Sequence, residues 1–301
     1  MTTTATVDID EKTRQHYSGL TRTARIMRSL TLYIPVVILL LLIITAIFAP
    51  WLAPQDPNKV VMTERRLPPA FVEGGSMKHF LGTDKLGRDI LSRAIYGARI
   101  SLSVSLLVIA ITASIGTLLG IAAGYLGGRT EAFLMRFTDI SMAFPGLVLA
   151  MLLSVSIGPG FFTVVLALSI LGWAPYARLI RGETLRLRGS DFVAQARING
   201  ASSLRIMLVH IFPNIINPLI IVMTMAVGMM ILAEAALSYL GIGIPPPDPS
   251  WGSMVADGRG EIDRAWWIST FPGILIGLVV LSGNFFGDWL RDKMDPRLRQ
   301  L

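Results

Sequence analysis

Side chains able to do chemistry are scarce in this chain, and their positions decide which chemistry is open to it. The three histidines, His16, His79 and His210, lie too far apart in sequence to suggest a metal-ligand set, and each reads as a solvated or interfacial side chain. There is no cysteine, which excludes disulfides, thiolate metal sites and iron–sulfur clusters. Three acids, Asp139, Glu234 and Asp288, fall inside long apolar runs. An ion-coupled transporter would gather several such groups near the membrane midplane. Three scattered ones read instead as packing or interfacial side chains. No histidine lies inside an apolar run, so the catalytic pair of an intramembrane hydrolase is missing. The chain also lacks a Gly-x-x-x-x-Gly-Lys loop, and indeed any Gly-Lys pair. Work driven by ATP would therefore need another polypeptide to bind the nucleotide.

The composition agrees with a membrane setting. Hydrophobic residues make up 52% of the 301 positions and charged residues only 16%, against about 25% charged in an ordinary soluble domain. The net charge of +7 could suggest nucleic acid, but the basic residues flank apolar runs instead of gathering on one soluble face. Nucleic-acid binding is excluded on that pattern.

Six segments are apolar for the roughly 20 residues that a helix needs to cross a core of about 30 Å. They are residues 31–53, 100–125, 132–157, 161–180, 215–240 and 267–290. The first has a long basic lead-in and a long apolar stretch, so an uncleaved span is expected and not a signal peptide. Lysine and arginine placement puts both termini in the cytoplasm, with Arg129, Arg136, Arg178, Arg181, Arg186, Arg188, Arg197 and Arg205 on that side. The expected organisation is a cytoplasmic segment 1–30, a first helix 31–53, an extracytoplasmic segment 54–98, a five-helix domain 99–290 and a cytoplasmic tail 291–301. The fold class is an all-α membrane protein with six transmembrane helices.

Connections and packing are partly readable. "GPG" at 158–160 fits a tight turn, making spans three and four antiparallel neighbours. In the outer segment, Thr83 or Asp84 could cap an amphipathic helix whose face carries Ile90, Leu91, Ala94, Ile95 and Ala98, lying on the outer surface. Residues 241–259 hold four prolines and read as a stiff, shaped outer loop. Gly116, Gly120 and Gly124 in span two, with Gly273/Gly277 and Gly283/Gly287 in span six, have the spacing that lets helix backbones approach closely in lipid.

Between spans four and five stands "SDFVAQARINGASSLRIMLVHIFPNIINP", residues 190–218. Ser190 and Asp191 suit a helix start, and Asn199–Gly200 suits a left-handed stop. Ser202 or Ser203 begins a second helix whose Leu204, Met207, Leu208 and Ile211 share a face, and Pro213 closes it. Gln195, Arg197 and Arg205 are the polar side. Two capped helices fixed to two spans form a lever, a shape suited to docking a soluble partner.

From Gly200 to Pro213 this stretch resembles the coupling loop of the membrane subunits of bacterial ATP-binding-cassette importers. More closely, the chain resembles the second permease subunit of dipeptide, oligopeptide and nickel importers. The segments that carry the likeness are "FLGTDKLGRDILSRAIYGARISL" at 80–102, "AGYLGG" at 123–128, "FPG" at 144–146, "YARLIRGETLRLR" at 176–188, "AEAALSYLGIGIPPPDPSWGSMVADGR" at 233–259 and "FGDWLRDKMDPRLR" at 286–299. The segment "PPAFVEGGSMKHFLGTD" at 68–84 looks most like the dipeptide members.

The resemblance implies the type I importer transmembrane fold, with this chain as half of a heterodimeric pore beside a homologous second permease. It implies two separate ATPase subunits that bind ATP and magnesium, an extracytoplasmic substrate-binding protein, and no catalysis or cofactor in this chain. It assigns ATPase coupling to Ala194, Gln195, Ala196, Arg197, Gly200, Ala201, Ser202, Arg205, His210 and Pro213. Arg178, Arg181 and Glu183 would brace the coupling loop where span four meets it. The family's glutamate falls at Ala194 and its next alanine at Gln195, so a salt bridge through that glutamate cannot form here. The resemblance implies dipeptides or oligopeptides as substrate, with nickel, a metal–chelator complex or glutathione as the alternative within the same architecture. An ion-coupled secondary transporter and an exporter or channel component remain as rival classes.

Overall fold

A computed structural model describes residues 22–294 of the chain, with side chains from Tyr33 onward. The segment 1–21, with His16, and the tail from residue 295 lie outside the described residues. Regular structure among those described is helical, apart from one isolated bridge between Thr83 and Asp89.

Helix α1 runs Arg22–Ile47 and α2 runs Ile90–Leu126. A bent pair follows, α3 (Gly128–Ala143) and α4 (Gly146–Ile157), and then α5 (Phe161–Arg188). A short helix α6 (Asp191–Ile198) leads into α7 (Ser203–Tyr239), followed by α8 (Trp251–Gly258) and α9 (Trp267–Met294), with single-turn helices at Ala49–Leu52 and Ile262–Ala265 between the longer ones. Helices α2, α5, α7 and α9 are each long and apolar enough to cross a membrane. The pair α3 and α4 counts as a fifth, broken span, and α1 adds the shorter apolar stretch Tyr33–Ile47. The six expected spans thus become four unbroken helices, one bent pair and α1.

The third span is bent by 80° and not straight. Phe144 is extended at φ −78°, ψ 132°, and Pro145 has no N–H to continue the ladder. A residue before proline is pushed out of the helical region, so "FPG" breaks the span.

The outer segment departs from expectation in a second way. No separate surface helix starts at Thr83 or Asp84. Helix α2 starts at Ile90, where the Asp89 side chain caps it by accepting from the Ser92 N–H at 2.8 Å, and it runs unbroken into the span. Ile90, Ala94 and Ala98 are buried as foreseen, but against Trp251, Trp267 and Ile268 and not against a lipid surface. Thr83 and Asp84 hold the preceding turn: Asp84 accepts from the Leu86 and Arg88 N–H groups at 2.8 and 3.0 Å.

The small residues of α2 do what their spacing promised. A Cβ at Gly116 would stand 2.5 Å from Tyr176 Cβ, one at Gly120 2.7 Å from the Ala177 carbonyl, and one at Gly124 2.7 Å from Thr184 Cβ. Helices α2 and α5 therefore pack backbone to backbone over three turns. In α9, Gly287 lies against the Met225 side chain, whereas Gly273 and Gly277 meet nothing within 4 Å.

At one end of the bundle, residues 54–89, the start of α2 and the region of α8 form one packed platform. Trp251 donates its indole N–H to the Ala94 carbonyl at 2.9 Å, and Trp267 donates to the Thr83 carbonyl at 3.1 Å. Arg88 meets Asp84 at 2.6 Å and Asp257 at 3.2 Å, while Lys85 meets Asp257 at 2.8 Å. Arg66 grips Glu261 through two N–H groups, both at 2.8 Å.

Candidate functional site

The lever foreseen between the fourth and fifth spans is present, and its turn is local chemistry. Helix α6 stops at Asn199, and Gly200 takes φ +77°, a left-handed conformation that glycine adopts without steric cost. The Gly200 N–H reaches back to the Arg197 carbonyl, and the Ala201 N–H to the Ala196 carbonyl, both at 3.1 Å. This pair of bonds is a Schellman closure, which satisfies carbonyls that a helix end would leave open. Ser202 then caps α7, accepting from the Arg205 N–H at 3.3 Å. Ser190 occupies the cap position of α6, but its hydroxyl donates back to the Leu187 carbonyl at 2.5 Å.

Two expectations about the second helix are corrected. Pro213 does not end it. Residues Ile206–Ile211 widen into a π turn, the Phe212 N–H reaches the Met207 carbonyl, and α7 continues through Pro213 to Tyr239. A proline in a regular helix strands the carbonyl four residues back; a wide turn just before it shifts the bonding register. Asn214 adds a side-chain bond to the His210 carbonyl at 2.7 Å. The same wide turn changes the buried face. Ile206, Ile211 and Ile215 point inward, Met207 is half-buried, and Leu204 and Leu208 are exposed.

The elbow is pinned by apolar contacts. Val193 and Ala196 of α6 are buried in one cluster with Leu187 and Ile180 of α5, Ile206 and Ile211 of α7, and Tyr125 at the end of α2. The outward surface carries Ala194, Gln195, Arg197, Gly200, Ser202, Arg205 and Pro213, all exposed, while Ala201 and His210 are half-buried. Arg197 stands over the Tyr125 ring at 5.8 Å. Between the two helices lies a recess of about 490 Å³, lined by Ala196, Asn199, Gly200, Ala201, Ser202, Arg205 and His210. Ile198, not singled out from the sequence, is 86% exposed at the elbow's tip. An apolar residue next to a helix stop was the only signal available for it.

The stem residues pair sideways. Arg178 meets Asp139 of α3 at 2.6 Å, and Arg181 holds Glu131 of α3, its Nε at 2.7 Å. Glu183 pairs with Arg186 one turn along α5 at 2.8 Å. Arg188 donates to the Gly124 carbonyl at 3.4 Å. Of the other intramembrane acids, Glu234 is fully buried and accepts from Ser101 and Ser238 at 3.1 and 2.7 Å, and Asp288 is exposed.

His79 is not a solvated side chain. It is 1% exposed, with Nδ1 2.9 Å from Asp89 and Nε2 3.0 Å from Glu64. Lys78 first, and then His79, hold the Glu64 carboxyl below the usual carboxylate range, and Arg66 does the same for Glu261. Among the described residues no group of three histidine or acidic side chains could hold a metal ion.

Comparison with known proteins gives this geometry a family. Residues 116–300 match the model of the binding-protein-dependent transport system inner membrane component, and residues 33–69 match that of the N-terminal transmembrane domain of oligopeptide transport permease C. The di/tripeptide transport system permease protein DppC of Pseudomonas aeruginosa is 43% identical over 261 residues, covering 87% of this chain and 86% of that relative. The dipeptide transport system permease protein DppC of Escherichia coli K12 is 43% identical over 264 residues, covering 88% of each chain. In fold, the chain is similar to the inward-facing MetNI methionine ABC transporter, with a TM-score of 0.56 at 15% identity, covering 68% of this chain and 97% of that one. An all-helical chain with a capped elbow between two spans, matched over most of its length, belongs to the family of binding-protein-dependent transport system inner membrane components.

Proposed function

We propose that the chain is the second permease subunit of an ATP-driven importer of dipeptides and short oligopeptides. It forms half of the pathway beside a homologous permease, in a bacterial inner membrane with both termini cytoplasmic. Two separate ATPase subunits bind ATP and magnesium, and an extracytoplasmic binding protein delivers substrate to the outer platform. The peptide assignment is supported by the relatives named for di/tripeptide and dipeptide transport.

The observation that carries the coupling role is the elbow itself: an exposed polar tip on a base buried against α2, α5 and α7. Closure of the ATPase pair would press on this tip, and the buried base would pass the displacement to α5 and α7 as one body. Arg181 with Glu131 stiffens the stem by clamping α5 to α3, while Arg197 and Arg205 supply positive charge to the docking face. Ala194 leaves a small apolar surface where relatives of the family type place glutamate, so docking here relies on shape, on Ile198 and on the two arginines.

Cysteine cross-linking in the assembled complex tests this reading. With no native cysteine in the chain, Ala194→Cys and Ile198→Cys should each form a disulfide with a cysteine placed in the ATPase groove, with a yield that changes on ATP addition. Failure of both, in a complex that still assembles, would overturn the coupling role.

A further inference from the structure

Asp139 and Arg178 hold opposite charges deep in the helical bundle, yet on an open face. Their side chains are 64% and 51% exposed, and they meet at 2.6 Å. Their depth follows from the way α3 lies along α5. Glu131 meets Arg181 near the inner end, and further up Phe137 stacks on Trp173 with ring centroids 5.4 Å apart. Trp173 is about twelve residues from the start of α5 at Phe161, roughly 18 Å of helical rise, and the hydrocarbon core is about 30 Å thick. Asp139 lies beyond Phe137 in the outward direction, while Arg178, about 25 Å of helical rise from Phe161, reaches up to it, which puts the pair in the inner half of the core.

A charged pair facing hydrocarbon at that level is strongly disfavoured, and intramembrane charges face a bundle interior or a water-filled cavity. Burying the pair dry against another helix would strip both groups of water at a high cost. The surroundings suit water and a ligand instead. Between α3 and α5 lies a cleft of about 450 Å³, lined by Gly128, Ala132 and Met135 with both ion pairs along it. That volume is in the range of small-molecule sites, roughly 300–1,000 Å³.

We propose that this cleft is a wall of the translocation pathway and recognises zwitterionic peptides, Asp139 taking the ammonium end and Arg178 the carboxylate end. The inference rests on the importer reading above and names the chemistry its pathway selects. A pair this exposed is held weakly in water, so a ligand carrying both charges replaces it at little cost. The planar guanidinium of Arg178 suits a carboxylate. Arg181 with Glu131, one turn closer to the inner end and less exposed, at 34% and 23%, stays closed as the clamp.

The test uses the whole transporter, with its ATPases and binding protein, in proteoliposomes. Met135→Cys and Ala132→Cys are expected to react with a charged, membrane-impermeant thiol reagent, and Leu40→Cys on the exposed face of α1 is not. Lack of reaction at both cleft positions, or equal reaction at Leu40→Cys, overturns the proposal. With alanyl-alanine as probe, Asp139→Asn and Arg178→Gln are expected to lower the peptide imported per ATP hydrolysed on the order of tenfold, as expected for one lost charge-assisted contact; Arg178→Lys recovers part of it. A ratio unchanged in both variants, or uptake and hydrolysis falling in step, assigns the pair a structural role and overturns the proposal. If the unmodified transporter moves no alanyl-alanine on ATP, the importer reading itself has failed, and the inference with it.

Discussion

The N–H of Ala201 donates to the carbonyl of Ala196 at 3.1 Å, closing α6 through a residue, Gly200, held at φ +77°. No atom stands within 4 Å of where a Cβ on Gly200 would lie, so the first added carbon meets no neighbour. The whole penalty is backbone strain, about 1–2 kcal/mol for an L-residue in that conformation. Gly200→Val should therefore leave insertion and yield intact while abolishing uptake and binding-protein-stimulated ATP hydrolysis. Gly200→Asn, which tolerates the left-handed region, should retain most activity. Wild-type transport by Gly200→Val would remove the elbow from the mechanism.

Packing between α2 and α5 makes the opposite kind of prediction. At Gly120 an added methyl would meet the Ala177 carbonyl at 2.7 Å and Ile180 Cβ at 2.8 Å. Backbone cannot move aside as a side chain can, so Gly120→Ala should destabilise the bundle by about 1–3 kcal/mol. Gly273→Ala, with nothing within 4 Å, should cost far less in the same chain. Thermal unfolding of both variants in detergent measures the difference, and equal melting temperatures would contradict it.

Trp251 is fully buried and bridges α8 to α2 through the Ala94 carbonyl. Trp251→Phe keeps most of the ring and loses one hydrogen bond, at about 0.5–1.5 kcal/mol, since the Ala94 carbonyl keeps its partner within α2. Trp251→Ala adds a cavity and should cost about 3–5 kcal/mol. Protease protection of residues 54–89 should fall in that order.

The outer platform should loosen in acid. Arg66 holds Glu261, and Lys78 with His79 holds Glu64, below the ordinary carboxylate value of 4.5. A depressed carboxylate contributes stability that is complete above its unfolded value and is lost as pH falls through the folded one. Protease cleavage in residues 54–89 should therefore rise below about pH 4.5, the usual value of a glutamate side chain. Glu261→Gln should already be looser at neutral pH and show a smaller acid step. An identical pH profile for wild type and Glu261→Gln would show that this pair does not hold the platform.

The purified chain alone should hydrolyse no ATP, since it carries no phosphate-cradling loop. A phosphate-release assay on the isolated subunit checks this, and turnover there would place the motor in the wrong polypeptide.

What could be read from the sequence was whatever depends on neighbours along the chain. The stop at Asn199–Gly200, the cap at Ser202 and the close approach at Gly116, Gly120 and Gly124 all follow from local residue types, and all are present. The misreadings come from partners far away in sequence. The face Ile90, Leu91, Ala94, Ile95 and Ala98 looks like a separate surface helix, yet α2 runs on from Ile90 into the span, with Arg93 buried between Asp84 and Asp257 at 3.8 and 3.7 Å. His79 looks solvated because nothing in its neighbourhood announces that Glu64 and Asp89 will meet behind it. Pro213 looks like a stop because a π turn has no residue signature, and that single widened turn rotates Leu204 and Leu208 out and Ile206 in.

The uninterrupted length of α2 has a mechanical consequence. One end is clasped by Trp251, and at the other Tyr125 lies under Arg197 of the elbow. One continuous helix thus joins the platform to the elbow, with no break along its 37 residues. The break in the neighbouring span falls instead next door, at the 80° corner between α3 and α4, so the chain changes direction there without interrupting that strut at either end.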